Sequence, residues 1–188
     1  MSAPPDLPDV VRRAFEVSRS SGFAAFCRNE TGRLLATLAA TRGGTLAELG
    51  TGCGVGTAWL RSGLRDGAHL LTAELDAARA DRARAIFADD ERVEVLGADW
   101  STLRDRGPFS LLFLDAREPK DGGPDAIVDL VEPGGVVVLD DFTPCSSWPP
   151  VYEGRVDVLR EQWLTDERFT TVEVMVAPDA SVLIATKR

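Results

Sequence analysis

Histidine and lysine are nearly absent. His69 is the single histidine in 188 residues, and of the 21 basic residues only Lys120 and Lys187 are lysines, the rest being arginines. With the abundant alanine, that bias is a compositional sign of a GC-rich bacterial genome. Cysteine is also scarce. Cys27, Cys53 and Cys145 are widely spaced, without a Cys-x-x-Cys pair or a second cluster to close a zinc site. An odd, scattered set reads as free thiols in a reducing cytoplasm. No apolar run approaches the roughly 18 residues of a membrane-spanning helix. The start, Met1-Ser2-Ala3-Pro4-Pro5-Asp6, has neither a basic nor an apolar leader region, so no secretory signal is expected. Positive charge is in deficit, at 21 Lys+Arg against 30 Asp+Glu, a net charge of -9. Binding a phosphate backbone needs a basic stripe, so nucleic acid is a disfavoured partner.

What is present is an ordinary soluble composition, 44% hydrophobic. The length suits one domain, since domains run to about 150 residues. Pro4, Pro5 and Pro8 predict an extended lead-in. Apolar spacing predicts a helix from Asp9 to Arg19, ending at Gly22. A second helix, capped by Asn29 or Thr31, carries Leu34, Leu35, Leu38 and Ala39 and stops at Gly43-Gly44. Beyond it, strands alternate with helices. Strands are expected at Thr45–Leu49, Ala68–Leu75, Val93–Leu96, Ser110–Leu114 and Val136–Leu139. Helices are expected at Val55–Leu64, Asp76–Ala88, Pro124–Val131 and Tyr152–Leu164. Phe169–Val176 and Ser181–Ala185 read as an antiparallel hairpin turning through Ala177-Pro178-Asp179-Ala180. Alternation of this kind predicts a doubly wound, mostly parallel seven-stranded α/β sheet. It ends in an antiparallel C-terminal edge, and two extra helices precede it. A single domain over 1–188 is expected, with 1–43 as a helical cap and 44–188 as the sheet.

The strongest motif is Glu48-Leu49-Gly50-Thr51-Gly52-Cys53-Gly54-Val55-Gly56-Thr57. Four glycines at alternate positions follow a strand and open a helix. Glycine allows close backbone approach to a ligand, and the helix N-terminus offers free N–H groups. The dinucleotide pattern G-x-G-x-x-G fails here, because Val55 and Thr57 stand where its last glycine would be. No lysine completes a P-loop. Further acids end the later strands: Glu74 in Thr72-Ala73-Glu74-Leu75-Asp76, Asp99 in Gly97-Ala98-Asp99-Trp100, Asp115 after Leu111–Leu114, and Asp140-Asp141 after Val136–Leu139. In open α/β sheets ligands bind at these strand ends. His69 starts its strand at the opposite end and reads as structural. Cys53 has no adjacent base that would mark it as a nucleophile.

Glycine loop and acids together resemble the class I S-adenosylmethionine-dependent methyltransferases, over about residues 28 to 186. The resemblance implies a Rossmann-like methyltransferase fold and S-adenosylmethionine as cofactor. It puts Glu48, Gly50, Thr51, Gly52, Cys53, Gly54, Gly56 and Thr57 in the cofactor loop and Glu74 on the ribose hydroxyls, with Leu75 beside it. Asp99 would meet the adenine amino group, flanked by Ala98 and Trp100, and Asp115 would close the cofactor site. The likeness is nearest to small O-methyltransferases of the catechol and caffeoyl-CoA type. That group carries Asp on strand four and Asp-Asn after strand five around a divalent cation. Asp115 and Asp140 match, and Asp141 replaces the Asn, so a magnesium or similar cation held by Asp115, Asp140 and Asp141 is an expectation. The family's catalytic lysine position is taken by Glu118, and Lys120 is the substitute expected to act with Asp115. A small hydroxylated, aromatic acceptor is the implied partner, with a homodimer left open and no membrane. The segment Ser21–Cys27 is a candidate lid, and Phe142–Tyr152 a candidate acceptor loop. Two alternatives stay open at this stage: an NAD-dependent oxidoreductase, and a non-catalytic S-adenosylmethionine-binding module.

Overall fold

A computed structural model describes residues 6–188. The lead-in prolines Pro4 and Pro5, and with them residues 1–5 of the expected cap, lie outside the described residues. Among the described residues there are nine strands: β1 (Thr45–Leu49), β2 (His69–Ala73), β3 (Val93–Leu96), β4 (Phe109–Leu114), β5 (Val131–Phe142), β6 (Val151–Tyr152), β7 (Arg155–Val156), β8 (Phe169–Ala177) and β9 (Ala180–Lys187). All except β6 and β7 form one seven-stranded sheet in the order β3-β2-β1-β4-β5-β9-β8. β1 to β5 pair in parallel. β9 runs antiparallel to both β5 and β8, so the expected hairpin closes this side of the sheet, with the reversed strand one place in from the rim.

The helices are α1 (Asp9–Ser20), α2 (Asn29–Ala39), α3 (Val55–Gly63), α4 (Ala77–Ile86), α5 (Arg117–Asp121), α6 (Gly123–Ile127) and α7 (Val158–Thr165). Tight 3-10 turns occupy Trp100–Arg106 and Val128–Leu130. The central strands are mostly apolar on both sides because successive side chains point to opposite, equally covered faces, with Glu48, Thr72 and Ser110 as buried polar exceptions. Leu46, Leu70, Leu111, Phe113, Val136 and Val138 pack under α1 to α4. Ala47, Leu71, Leu112, Leu114, Val137 and Leu139 face the other layer with Leu103, Ile127 and Trp163.

The two N-terminal helices are held close to the sheet layer by small residues. A Cβ on Gly63 of α3 would run into the backbone carbonyl of Ala36 in α2, and one on Gly32 into the Trp59 ring. Backbone cannot yield as a flexible side chain can. Gly63→Ala should therefore destabilise the chain by about 2 kcal/mol, as overpacking does. A urea midpoint unchanged from wild type would refute the close crossing.

Four expectations are corrected. β5 begins at Val131, five residues early, because Val131 already pairs with Phe109 before an irregularity near Leu111; the helix expected over Pro124–Val131 gives way to α6 and a 3-10 turn that ends at Leu130. The helix expected from Tyr152 begins only at Val158, where the Asp157 side chain accepts from the Arg160 N–H. Upstream of it the chain makes the β6–β7 ribbon, with Glu153 and Gly154 at positive φ. Neither Asn29 nor Thr31 caps α2, whose N-cap is Arg28. The sequence reading also omitted α5, the turn that carries Lys120. No helix among the described residues is long and apolar enough to cross a membrane.

Candidate active site

Neighbours β1 and β4 connect in opposite directions across the sheet, which leaves a crevice beyond their C-terminal ends. A cleft of about 370 Å³ opens there. That is within the usual size of a small-molecule site. Among the expected cofactor residues, Gly50, Gly52, Glu74, Leu75, Asp99, Trp100 and Asp115 line it.

Gly50 shows why the loop needs glycine. Its φ is +102, and a Cβ would come within 2.7 Å of the Ala116 backbone nitrogen. The bare backbone lets β1 and β4 end side by side. Glu74 then ties the loop to β2. Its carboxylate accepts from Gly52 N–H at 2.8 Å and from Asp76 N–H at 2.9 Å, with Arg79 at 3.4 Å. A carboxylate has about four lone-pair sites, so Glu74 keeps capacity for a diol. Leu75 beside it is 74% exposed. An apolar side chain left open on a cleft rim is a ready face for a flat ring. Asp99 accepts from Ser101 N–H at 2.9 Å as the cap of the following turn, and the Ser101 hydroxyl, helped by that N–H, holds its carboxyl below the usual range. Trp100 lies opposite, with the Arg104 guanidinium over its ring.

The remaining loop residues expected at the cofactor are not among those lining the cleft. Cys53, Gly54, Gly56 and Thr57 are buried beneath it, Thr51 is also buried, and Ala98 is half-buried. Glu48 is fully buried. It accepts hydrogen bonds from the hydroxyls of Thr57 and, at 2.8 Å, Thr72, while its other oxygen has no partner. Burial pushes the Glu48 carboxyl up to about 7, against the pull of those two hydroxyls. Gly56 is glycine for this acid's sake, since a Cβ there would strike Glu48 Oε1.

The candidate lid does lie over the loop. A Cβ on Gly52 would come within 2.7 Å of the Phe23 ring, and the Arg79 guanidinium stands 5.1 Å from that ring's centre. Sequence reading missed Arg79. Its signal was a cation in the first turn of a helix, a position that disfavours positive charge unless acids compensate; here Glu74 and Asp76 do.

Across the sheet from this cleft, β5 delivers Asp140 and Asp141 beside a second hollow of about 260 Å³. Phe26, Cys27, Arg28, Phe142 and Asp179 help to line it. Arg28 makes two hydrogen bonds to Asp179, at 2.8 and 2.9 Å. Burial raises the Asp115 carboxyl well above its ordinary value, with Glu48 adding repulsion and Lys120 opposing; burial raises Asp140 too. Cys27 is buried near both acids, and its thiol is pushed well up.

The expected cation site is not assembled. Among the described residues no three His, Cys, Asp or Glu side chains are placed to hold a metal ion. Asp140 Oδ1 accepts from the Thr31 hydroxyl at 3.2 Å. Asp141 has positive φ and reaches Lys120, whose Nζ donates to Asp141 Oδ2 at 2.9 Å and to the Asp140 carbonyl at 3.3 Å. The residues present do not fit the metal that the resemblance implied.

The aromatic loop after β5 is anchored by Arg160, which sequence reading also missed. Arg160 is 1% exposed. It donates to Glu173 at 3.2 Å and to the Thr143 carbonyl at 2.8 Å, and its Nε lies 3.1 Å from Asp157. Trp148 and Tyr152 further along the loop are exposed.

Comparison with known proteins agrees with this architecture. The profile of a family described as "Methyltransferase domain" matches residues 47–142. A provisionally named O-methyltransferase of Mycobacterium avium (strain 104) is 34% identical over 119 residues, covering 57% of this chain and 53% of its own. One of Mycobacterium ulcerans (strain Agy99) is 33% identical over 119 residues, with 57% and 52% covered. The chain thus spans about half the length of the curated relatives it matches. Among solved structures, an O-methyltransferase from Bacillus cereus in complex with SAH superposes with a TM-score of 0.77 at 22% identity, covering 97% of this chain and 93% of the other. The O-methyltransferase TomG from Streptomyces achromogenes, in complex with SAM, gives 0.75 at 22% identity, with 97% and 92% covered.

Proposed function

Since this chain belongs to the methyltransferase-domain family, we propose that it moves a methyl group from S-adenosylmethionine to an oxygen of a small hydroxylated acceptor. One observation carries this reading: Glu74, Asp99 and Asp115 stand around a glycine-loop cleft of about 370 Å³ at the switch point of the sheet. The cleft fits the cofactor in chemistry. Glu74 would accept from the ribose hydroxyls and Asp99 from the adenine amino group, and Leu75 and Trp100 would border the ring. When bound, S-adenosylmethionine supplies a methyl on a sulfonium, a leaving group that needs no further activation.

The protein's task is then alignment and proton removal. Asp115 lines the cofactor cleft one strand away from Asp140, and burial raises its pKa, which makes it a better base than an ordinary aspartate. It would take the proton that the acceptor hydroxyl gives up when its oxygen receives the methyl group. Lys120 orients the acceptor oxygen. Phe26 and Phe142 wall the second hollow and favour a flat, aromatic acceptor.

Calorimetry with S-adenosylhomocysteine tests the reading. Binding is expected, and Glu74→Ala should weaken it roughly 100-fold, the loss of charge-assisted hydrogen bonds. No binding by the wild-type chain at millimolar ligand would refute the reading. Binding of NADH in its place would favour an oxidoreductase.

A further inference from the structure

We propose that the Lys120 ammonium holds the position where the resemblance puts a divalent cation, so that methyl transfer by this chain runs without added metal. The proposal rests on the reading of the cleft as a methyl-transfer site.

The geometry around β5 carries it. A cation there would need oxygens of Asp115, Asp140 and Asp141 turned to one point. Asp141 is turned otherwise: its φ is 70, its side chain is 71% exposed, and one of its oxygens is 2.9 Å from Lys120 Nζ. Asp140 spends one oxygen on Thr31. That hydrogen bond turns the Asp140 carboxylate toward α2, to which Thr31 belongs.

Lys120 itself is 8% exposed. A buried ammonium is costly unless it is paired, and this one is paired with the residues that would otherwise ligate. A divalent ion brought into the same space would meet a fixed positive charge at contact range, where Coulomb repulsion is large. The choice of lysine fits the role, in a chain that otherwise uses arginine almost throughout. An ammonium is a compact point charge with three donors. Two go to Asp140 and Asp141, which leaves one for an acceptor oxygen. The short helix α5 explains the displaced position: Glu118 faces the cofactor cleft and Lys120, two residues on, is buried toward β5.

Manganese binding, read by electron paramagnetic resonance on the full chain, tests this without an acceptor. Wild type should bind no manganese at millimolar concentration, with or without S-adenosylhomocysteine. Lys120→Met frees the Asp141 carboxylate, removes the fixed positive charge beside it, and should gain at least roughly tenfold in manganese affinity, the scale on which neighbouring groups tune metal sites. Lys120→Arg should stay metal-free. Uptake by wild type that disappears in Asp140→Asn would overturn the proposal, and so would a folded Lys120→Met chain with no gain. Wild-type uptake that survives Asp140→Asn lies outside the site and agrees with the proposal. Should Lys120→Met fail to fold, the wild-type and Asp140→Asn titrations decide alone. Calorimetry with S-adenosylhomocysteine on the same samples keeps the two claims apart, because loss of cofactor binding removes the methyltransferase reading and leaves the metal result legible.

Discussion

Arg160→Leu should destabilise the protein by about 3 to 5 kcal/mol, the usual result of leaving a buried partner charge alone. For a chain of this size that corresponds to a fall in melting temperature of roughly 10 °C. Arg160 is 1% exposed, so solvent screens its ion pairs little. Its removal strands Glu173, whose carboxylate otherwise meets Arg160, Ser181 and the Cys145 N–H. The discriminating measurement is the double variant. Arg160→Leu with Glu173→Leu should recover most of the loss, since apolar pairs often replace buried ion pairs at little cost. A single variant that loses under about 1 kcal/mol would show that the pair is mere surface chemistry. The effect should reach the site as well, because Arg160 holds the Thr143 carbonyl and lies over the Phe142 ring.

Glu48→Gln should change the pH dependence of stability more than stability itself. The wild-type carboxyl titrates near 4.5 when unfolded and at about 7 when folded. Between those values the native state holds a proton that the unfolded chain has lost. Glu48 therefore contributes its full stability below pH 4.5, and loses it as pH rises through 7. The interval corresponds to about 3 kcal/mol. An amide of the same shape still accepts from Thr57 and Thr72 and has no proton to lose. The stability of Glu48→Gln relative to wild type should accordingly climb by about 3 kcal/mol between pH 5 and pH 8. Urea titrations at both pH values measure it. Parallel pH curves for the two proteins would show that the buried acid is not neutral in the native state. Asp140 shifts in both proteins alike and cancels from the comparison, whereas Asp115 loses the repulsion of Glu48 in the variant and is raised less there.

Glu74, Asp99 and Asp115 were legible because each follows an apolar strand, and strand ends in a parallel sheet share one edge. Glu48 was read with them as a cofactor-loop residue, but it lies inside β1 and is buried. The alternation of strands and helices exposed that sheet for the same local reason. The glycine run was legible as a loop, yet which of its residues face outward was not. Gly50 and Gly52 line the cleft, while Gly56 serves Glu48 from below. Such a difference depends on atoms brought together from distant positions. Arg79 and Arg160 escaped notice because their partners are long-range or lie across a turn. The cation site failed for a backbone reason. Asp141 follows Asp140 on the page, but its left-handed φ turns it toward Lys120. The helix expected from Tyr152 was overdrawn because Val151, Tyr152, Val156 and Val158 have no period that separates a ribbon from a helix.

The place of β9 has a consequence for the order of assembly. It stands between β5 and β8, so the strand translated after all other described elements occupies an interior seat. Until Ala180–Lys187 emerges from the ribosome, β5 shows an open edge to neighbouring chains and β8 has nothing to pair with. Asp179, just before it, must then arrive to meet Arg28, 151 residues upstream. The mouth of the second hollow is thus completed after the other described elements, and a nascent chain can own its glycine loop well before it owns a place for an acceptor.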